Sequence, residues 1–161
     1  MITELVDPDV NDTICDPARK TAGFLFMAYR YILRKYISSD IVLEDEEGNW
    51  HNFYGNGITE QKAWDKLHQD TFYAFDSDST MVRIELMNIV LHGIRAHHIE
   101  STDMLSNRYS GEEELIVILA NPPFKGSIDK NDINDRLTLG TTKTELLFVE
   151  KMYRLLEIGG K

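Results

Sequence analysis

Positive charge is what this chain has least of. Its 17 Lys and Arg face 27 Asp and Glu, a formal net charge of −10 over 161 residues. Nucleic acid is held electrostatically by clustered Lys and Arg that release counterions. Such an acidic chain therefore does not grip a polyanion by charge alone; were nucleic acid its substrate, another domain or subunit would supply most of that grip. Cysteine is almost absent too. Cys15 stands alone, which excludes an internal disulfide and fits a reducing compartment such as the cytoplasm. No apolar run approaches the ~18 residues of a membrane span, and the first residues show no signal-peptide pattern. Internal repeats and low-complexity tracts are missing. The remaining composition is that of an ordinary globular domain, and the length suits one domain with a sizeable core.

Proline is scarce as well, with 4 in the chain, yet two of them are adjacent. They end the most apolar stretch, Leu115-Ile116-Val117-Ile118-Leu119-Ala120-Asn121-Pro122-Pro123-Phe124. Leu115 to Ala120 reads as a strand buried on both faces. Pro122 and Pro123 cannot donate to a sheet ladder, and Pro123 keeps Pro122 out of helical angles. The chain thus leaves a central strand in a stiff, extended form. That holds in place the Asn121 amide, the Pro122 carbonyl and the Phe124 ring. The first two can accept hydrogen bonds from a planar NH2 group, and the ring can stack on the base carrying it. The same turn could also do no more than close a core strand.

Earlier in the chain, the short apolar run Thr13-Ile14-Cys15 ends at Asp16-Pro17. A turn through Ala18 to Gly23 follows, then a helix to about Ile37 with Leu25, Tyr29, Ile32 and Tyr36 on one face. Strand, tight turn and helix open a nucleotide-type α/β fold, with the turn where a cofactor approaches the helix N-terminus. Residues 38 to 70 are polar and turn-rich and read as an insertion, with Thr59 as N-cap of a short helix through Leu67. Thr71 to Phe75 is the second strand, and it ends in Asp76-Ser77-Asp78. Asp78 N-caps a helix from about Thr80 to Leu91, with Val82, Leu86, Ile89 and Val90 inward and Gly93 at its C-terminal end. His92 reads as a helix-end residue, and His97-His98 lacks partners at metal-ligand spacing, so no metal is assigned. Ile99 to Thr102 is the third strand, before Asp103. After Phe124 a long polar loop runs to Gly140. Thr142 and Glu145 form a capping box for a last helix to Leu156, which is expected to bury Leu146, Val149, Tyr153 and Leu156.

These motifs carry a resemblance. Asn121-Pro122-Pro123-Phe124 resembles the Asn/Asp/Ser-Pro-Pro-Tyr/Phe/Trp signature of amino-group methyltransferases that use S-adenosylmethionine. Asp16-Pro17-Ala18, then Thr21-Ala22-Gly23-Phe24-Leu25, is similar to the first cofactor motif of the modification subunit of type I restriction systems, Asp-Pro-Ala-Cys/Ala-Gly-Thr-Gly/Ala-Gly-Phe-Leu. Met87-Asn88-Ile89-Val90-Leu91-His92-Gly93-Ile94 and Glu145-Leu146-Leu147-Phe148 resemble further segments of that subunit. The chain departs from the motif at Arg19 and Lys20. Lys20 replaces the first glycine, where its side chain is expected to crowd the cofactor.

The resemblance implies an α/β, Rossmann-like methyltransferase fold with a parallel sheet and helices on both faces. It covers the central part of a family member, so residues 1–161 read as a partial catalytic domain that stops after the fourth strand and its helix. Right-handed crossovers give the strand order 3-2-1-4. The implied reaction is methyl transfer from S-adenosylmethionine to the N6 of adenine in DNA, with the base extruded from the helix. Asn121, Pro122, Pro123 and Phe124 would form the catalytic set. Asp16, Ala18, Thr21, Ala22, Gly23, Asp76 and Asp103 would bind the cofactor, Asp76 through ribose hydroxyls and Asp103 beside the adenine. DNA, a specificity subunit and a restriction subunit are the implied partners. Two alternatives stay open: another amino acceptor (cytosine N4, RNA or a protein glutamine), and a catalytically dead remnant or interaction module. With no fifth strand to pair it, the Leu115 to Ala120 edge is expected to promote self-association.

Overall fold

A computed structural model describes residues 2–18, 23–36, 43–48, 50–51, 57–95, 98–111, 114–123 and 125–161. The expectations for Arg19, Lys20, Thr21, Ala22, His97 and Phe124 lie outside them. The elements in chain order are α1 (Ile2–Val6), β1 (Ile14–Asp16), α2 (Gly23–Lys35), β2 (Leu43–Glu44), β3 (Trp50–His51), α3 (Gln61–Gln69), β4 (Phe72–Asp76), α4 (Ser79–Leu91), β5 (His98–Ser101), β6 (Val117–Ile118) and α5 (Thr144–Leu155).

β1, β4, β5 and β6 form one parallel sheet in the order β5-β4-β1-β6. In terms of the four strands read from sequence this is 3-2-1-4, as the crossovers require. Residue alternation splits the sheet's two faces. Ile14, Phe72 and Ala74 join a core with Leu25, Ala28, Ile32, Leu67, Val82 and Ile89, which places α2, α3 and α4 on that side. Cys15 and Phe75 point the other way, toward Met104, Tyr109 and Leu155, and so toward α5. Helices thus cover both faces, as parallel sheets demand. The polar stretch between α2 and β4 supplies the β2–β3 pair and α3.

The last strand departs from the expected uniform run. The N–H groups of Ile116 and Val117 both donate to the carbonyl of Thr13, at 3.2 and 2.9 Å. This bulge shifts the alternation. Leu115 packs with the α5 side, whereas Val117 and Leu119 pack with the α2 side. Ile116, Ile118 and Ala120 are half-buried, so burial is complete on alternate residues only.

The open edge foreseen along Leu115 to Ala120 is corrected by the residues that follow α5. Leu115 donates to Leu155 O (2.8 Å) and accepts from Glu157 N–H (3.0 Å); Ile116 accepts from Lys161 N–H (2.8 Å), and Ile118 donates to Lys161 O (2.9 Å). Two glycines allow this. Gly159 has φ +91°, and a Cβ on Gly160 would sit 2.8 Å from Leu156 Cδ2 and 3.1 Å from Ile116 O. The proposed route to self-association through that edge therefore loses its basis.

The face of α5 is corrected too. Leu147, Phe148, Lys151 and Leu155 are its buried residues, while Leu146, Val149 and Tyr153 are exposed. Nor does the capping box form. The extended backbone at Lys143, just before the helix, pairs with Ser127, flanked by bonds from Ile128 N–H to Thr142 O and from Thr144 N–H, at the start of α5, to Gly126 O. The N-cap is Lys143, without a side-chain cap. Likewise Glu60, not Thr59, caps α3, and Val90 is exposed on α4. Asp78 does cap α4, accepting from Thr80 and Met81 N–H. His92 and Gly93 (φ +82°) end that helix.

Candidate functional site

Parallel strands place their carboxyl ends on one rim, and the loops leaving that rim enclose whatever lies over it. Here the turn after β1 contributes Pro17 and Ala18. The end of β4 contributes Phe75, Asp76 and Ser77, and the segment after β5 contributes Thr102 to Leu105. With Pro123 from the loop after β6, and Thr144 and Phe148 from the first turns of α5, they enclose a cleft of about 280 Å³. A more polar recess of about 330 Å³ adjoins it and shares Ser77, Thr102 and Asp103.

Each acidic residue at the rim shapes its own turn. Asp16 is 3% exposed, and its Oδ1 accepts from Ala18 N–H at 3.2 Å. It builds the turn, and Ala18 faces the cleft. Asp76 Oδ1 accepts from Asp78 N–H at 2.7 Å, and Asp103 Oδ1 accepts from Leu105 N–H at 2.9 Å. A carboxylate has two oxygens and about four acceptor sites, so both residues keep acceptor capacity toward the cleft they line. Gly23 is the first residue of α2. Asn121 is exposed, and Pro122 and Pro123 are half-buried. The structure therefore gathers Ala18, Asp76, Asp103 and Pro123 around one cleft; Asp16 bonds the turn that carries Ala18, and Asn121 lies two residues before Pro123, neither of them lining it.

The walls include residues that the sequence reading left out. Phe148, 8% exposed, packs with Ala18, Leu105, Leu137 and Leu147 and lines the cleft. Among the described residues, Thr144 Oγ1 is buried without a hydrogen-bond partner, as is Glu145 Oε2. A Cβ on Gly126 would lie 2.7 Å from that threonine oxygen. A signal was available for both: a helix entered from a loop at the strand ends presents its first turns to the rim. Among the described residues, no group of three or more His, Cys, Asp or Glu is placed to hold a metal ion, and no helix is long and apolar enough to cross a membrane.

The model of the family described as N-6 DNA Methylase matches residues 1–161. The chain belongs to that family. Among relatives of this N-6 DNA methylase chain is the type I restriction enzyme EcoKI methylase subunit of Escherichia coli (strain K12). It is 27% identical over 165 residues, covering 99% of this chain and 28% of the relative. The StySJI methylase subunit of Salmonella typhimurium (strain LT2) matches to the same extent. The chain thus spans little more than a quarter of the length of these curated relatives. The solved EcoKI M protein superposes with a TM-score of 0.78 at 23% identity, over 98% of this chain and 30% of that one. A chain solved in work on complex assembly of the type I R-M system gives 0.70 at 23% identity, over 97% and 28%. The two superpositions show that the methylase chain shares their fold.

Proposed function

We propose that this chain forms the cofactor- and base-binding part of a DNA methyltransferase that transfers a methyl group from S-adenosylmethionine to adenine N6. In this reading it works in the cytoplasm within a type I restriction-modification system, beside specificity and restriction subunits. DNA is held mainly by other domains or subunits, as the net charge of −10 requires. The observation that carries the reading is one of position. The turn after β1, Asp76, Asp103 and Pro123 come from four separate stretches of sequence and border one cleft at the strand ends.

The lining suits an adenosyl group. Phe75, Met104, Pro123 and Phe148 offer apolar walls for a flat ring, Asp76 and Asp103 offer acceptors for hydroxyl and amino groups, and the buried Thr144 hydroxyl has no hydrogen-bond partner among the described residues. When bound, S-adenosylmethionine supplies an electrophilic methyl group. Asp76 would hold the ribose hydroxyls and Asp103 the adenine edge, with Ala18, Thr21, Ala22 and Gly23 as the remaining cofactor contacts and Asp16 setting the turn at Ala18. On the substrate side, the Asn121 amide oxygen and the Pro122 carbonyl would accept both hydrogens of the target NH2. That holds the nitrogen in place and keeps its electron density available to the methyl group. Pro123 keeps this segment extended, and Phe124 would stack on the extruded base. Positioning supplies most of the catalysis.

Calorimetry with S-adenosylmethionine tests the cofactor half. Binding is expected to be weak in the unaltered chain and tighter in Arg19→Ala/Lys20→Gly, then lost again when Asp103→Ala is added. Binding that ignores both Asp76→Ala and Asp103→Ala would remove this cleft from the reading.

A further inference from the structure

The loop from Lys125 to Lys143 does more than join the Asn-Pro-Pro segment to α5. Its centre is Asn134, 5% exposed, with every polar group engaged. Its Nδ2 donates to Ser106 O at 3.1 Å and to Tyr109 O at 2.8 Å. Its Oδ1 accepts from Arg136 N–H at 3.1 Å. Its backbone N–H donates to Leu105 O (2.8 Å), and its carbonyl accepts from Leu137 N–H (2.9 Å). Asn107 reaches back from the other side. It donates through its backbone N–H to Asp132 O (2.9 Å) and through Nδ2 to Asn131 O (3.1 Å), and its Oδ1 accepts from Asp135 N–H (3.1 Å). A short antiparallel bridge between Ser106 and Ile133 completes the seam.

Two asparagines thus sew residues 131–136 onto residues 105–109. The second stretch continues the cleft wall formed by Thr102 to Leu105. The first belongs to the loop that leaves Asn121-Pro122-Pro123. A buried amide whose two donors and one acceptor are all engaged fixes backbone geometry more firmly than apolar packing does, because breaking it leaves buried polar groups short of a partner.

We propose that Asn134 is a positioning residue: its clasp, shared with Asn107, holds the Asp103–Leu105 wall of the cleft to the loop after Asn121–Pro123, so that ligand occupancy and the state of that loop are coupled. The ligand arm rests on the functional reading above; the clasp itself does not. Coupling of this kind requires one element that both sites bias, and the seam is such an element.

Hydrogen exchange on the whole chain separates the two. Without ligand, Asn134→Ala is expected to speed exchange of the Ser106 and Tyr109 amides about tenfold or more, although they lie over twenty residues away in sequence. Asn107→Ala, at an exposed position, should do so more mildly and decides the matter if Asn134→Ala fails to fold. Glu150→Gln frees the far end of the same loop without touching the seam and should leave those two amides unchanged. With S-adenosylmethionine at saturation, the unaltered chain should show slower exchange at Asn134 and Leu137, which do not line the cleft, and Asn107→Ala should lose that transmitted protection. Faster exchange confined to residues 129–137 in the ligand-free variants overturns the proposal. So does cofactor protection that stops at Leu105. A chain that binds no S-adenosylmethionine would instead refute the cofactor reading, with the ligand-free exchange still deciding the clasp.

Discussion

Replacing Glu150 by glutamine should destabilise the chain by about 2 kcal/mol, and the loss should fade in acid. The side chain is 8% exposed. Its Oε1 accepts from Thr138 N–H (2.7 Å), Thr138 Oγ1 (3.0 Å) and Arg154 (2.9 and 3.1 Å), and its Oε2 accepts from Leu139 N–H (3.1 Å). Burial pushes this carboxyl upward, but the donors, with Thr138 N–H foremost, outweigh it and hold it at about 2 against an ordinary 4.5. Hydrogen bonds to a charged group are each worth roughly 1.5–3 kcal/mol. Thr138, Leu139 and Arg154 are themselves exposed, so water replaces part of what is lost, and glutamine keeps one acceptor. A net loss near the lower end, about 2 kcal/mol, follows. For a domain of this size that is a fall in Tm of about 4–8 °C at pH 7. The folded carboxyl lies below its unfolded value, so its contribution is complete above about pH 4.5 and disappears as pH falls through about 2. Thermal melts of both proteins from pH 7 to pH 2 provide the check. A Tm difference under 1 °C at pH 7, or one that stays constant into acid, would refute the argument.

Three further outcomes are expected. Asn121→Ala should abolish methyl transfer while leaving the melting temperature within about 1–2 °C, since the residue is exposed; unchanged turnover would exclude it from the chemistry. Phe148→Ala should both lower stability by about 3 kcal/mol, as for other buried aromatics, and weaken S-adenosylmethionine binding at temperatures where the variant stays folded; intact binding there would make the ring a packing residue alone. Phe124→Ala should weaken use of duplex substrate by roughly 1–3 kcal/mol, the range for base stacking, without an equal fall in stability; parallel losses would favour a core role.

Sheet order was legible in the sequence because few topologies satisfy right-handed crossovers between short parallel strands. The carboxyl ends of the first three strands were legible to within one residue, since Asp16-Pro17 and Asp76-Ser77-Asp78 are turn chemistry after apolar runs; the fourth strand stops at Ile118, two residues short of the Ala120 that Asn121-Pro122 marks. What escaped was decided by tertiary pairing. Thr142 and Glu145 have cap spacing, yet residues 126–128 claim the backbone around Thr142 and Thr144. The last helix carries apolar residues on two sides, Leu146-Val149-Tyr153 and Leu147-Phe148-Leu155. Periodicity alone did not say which side meets the sheet. Phe148 lies on the side that meets the sheet, so nothing in the pattern marks it as a wall of the cleft. The covered edge depends on Gly159 and Gly160 turning the chain back beside Ile116 and Ile118, a contact between distant parts of a strand register that local pattern does not encode. Asn134 sits in a stretch that reads as a plain polar loop. Its burial follows from the carbonyls of Ser106 and Tyr109, which no spacing rule connects to it.

The account stands most directly on where a methyl group goes. A protein carrying this chain, assembled with a type I specificity subunit and incubated with isotopically labelled S-adenosylmethionine and duplex DNA, can be followed by mass spectrometry of the digested nucleosides. The account predicts label on N6-methyladenine, present with the unaltered sequence and absent with Asn121→Ala. Label on N4-methylcytosine, on RNA or on protein would contradict it, as would N6-methyladenine that persists without Asn121.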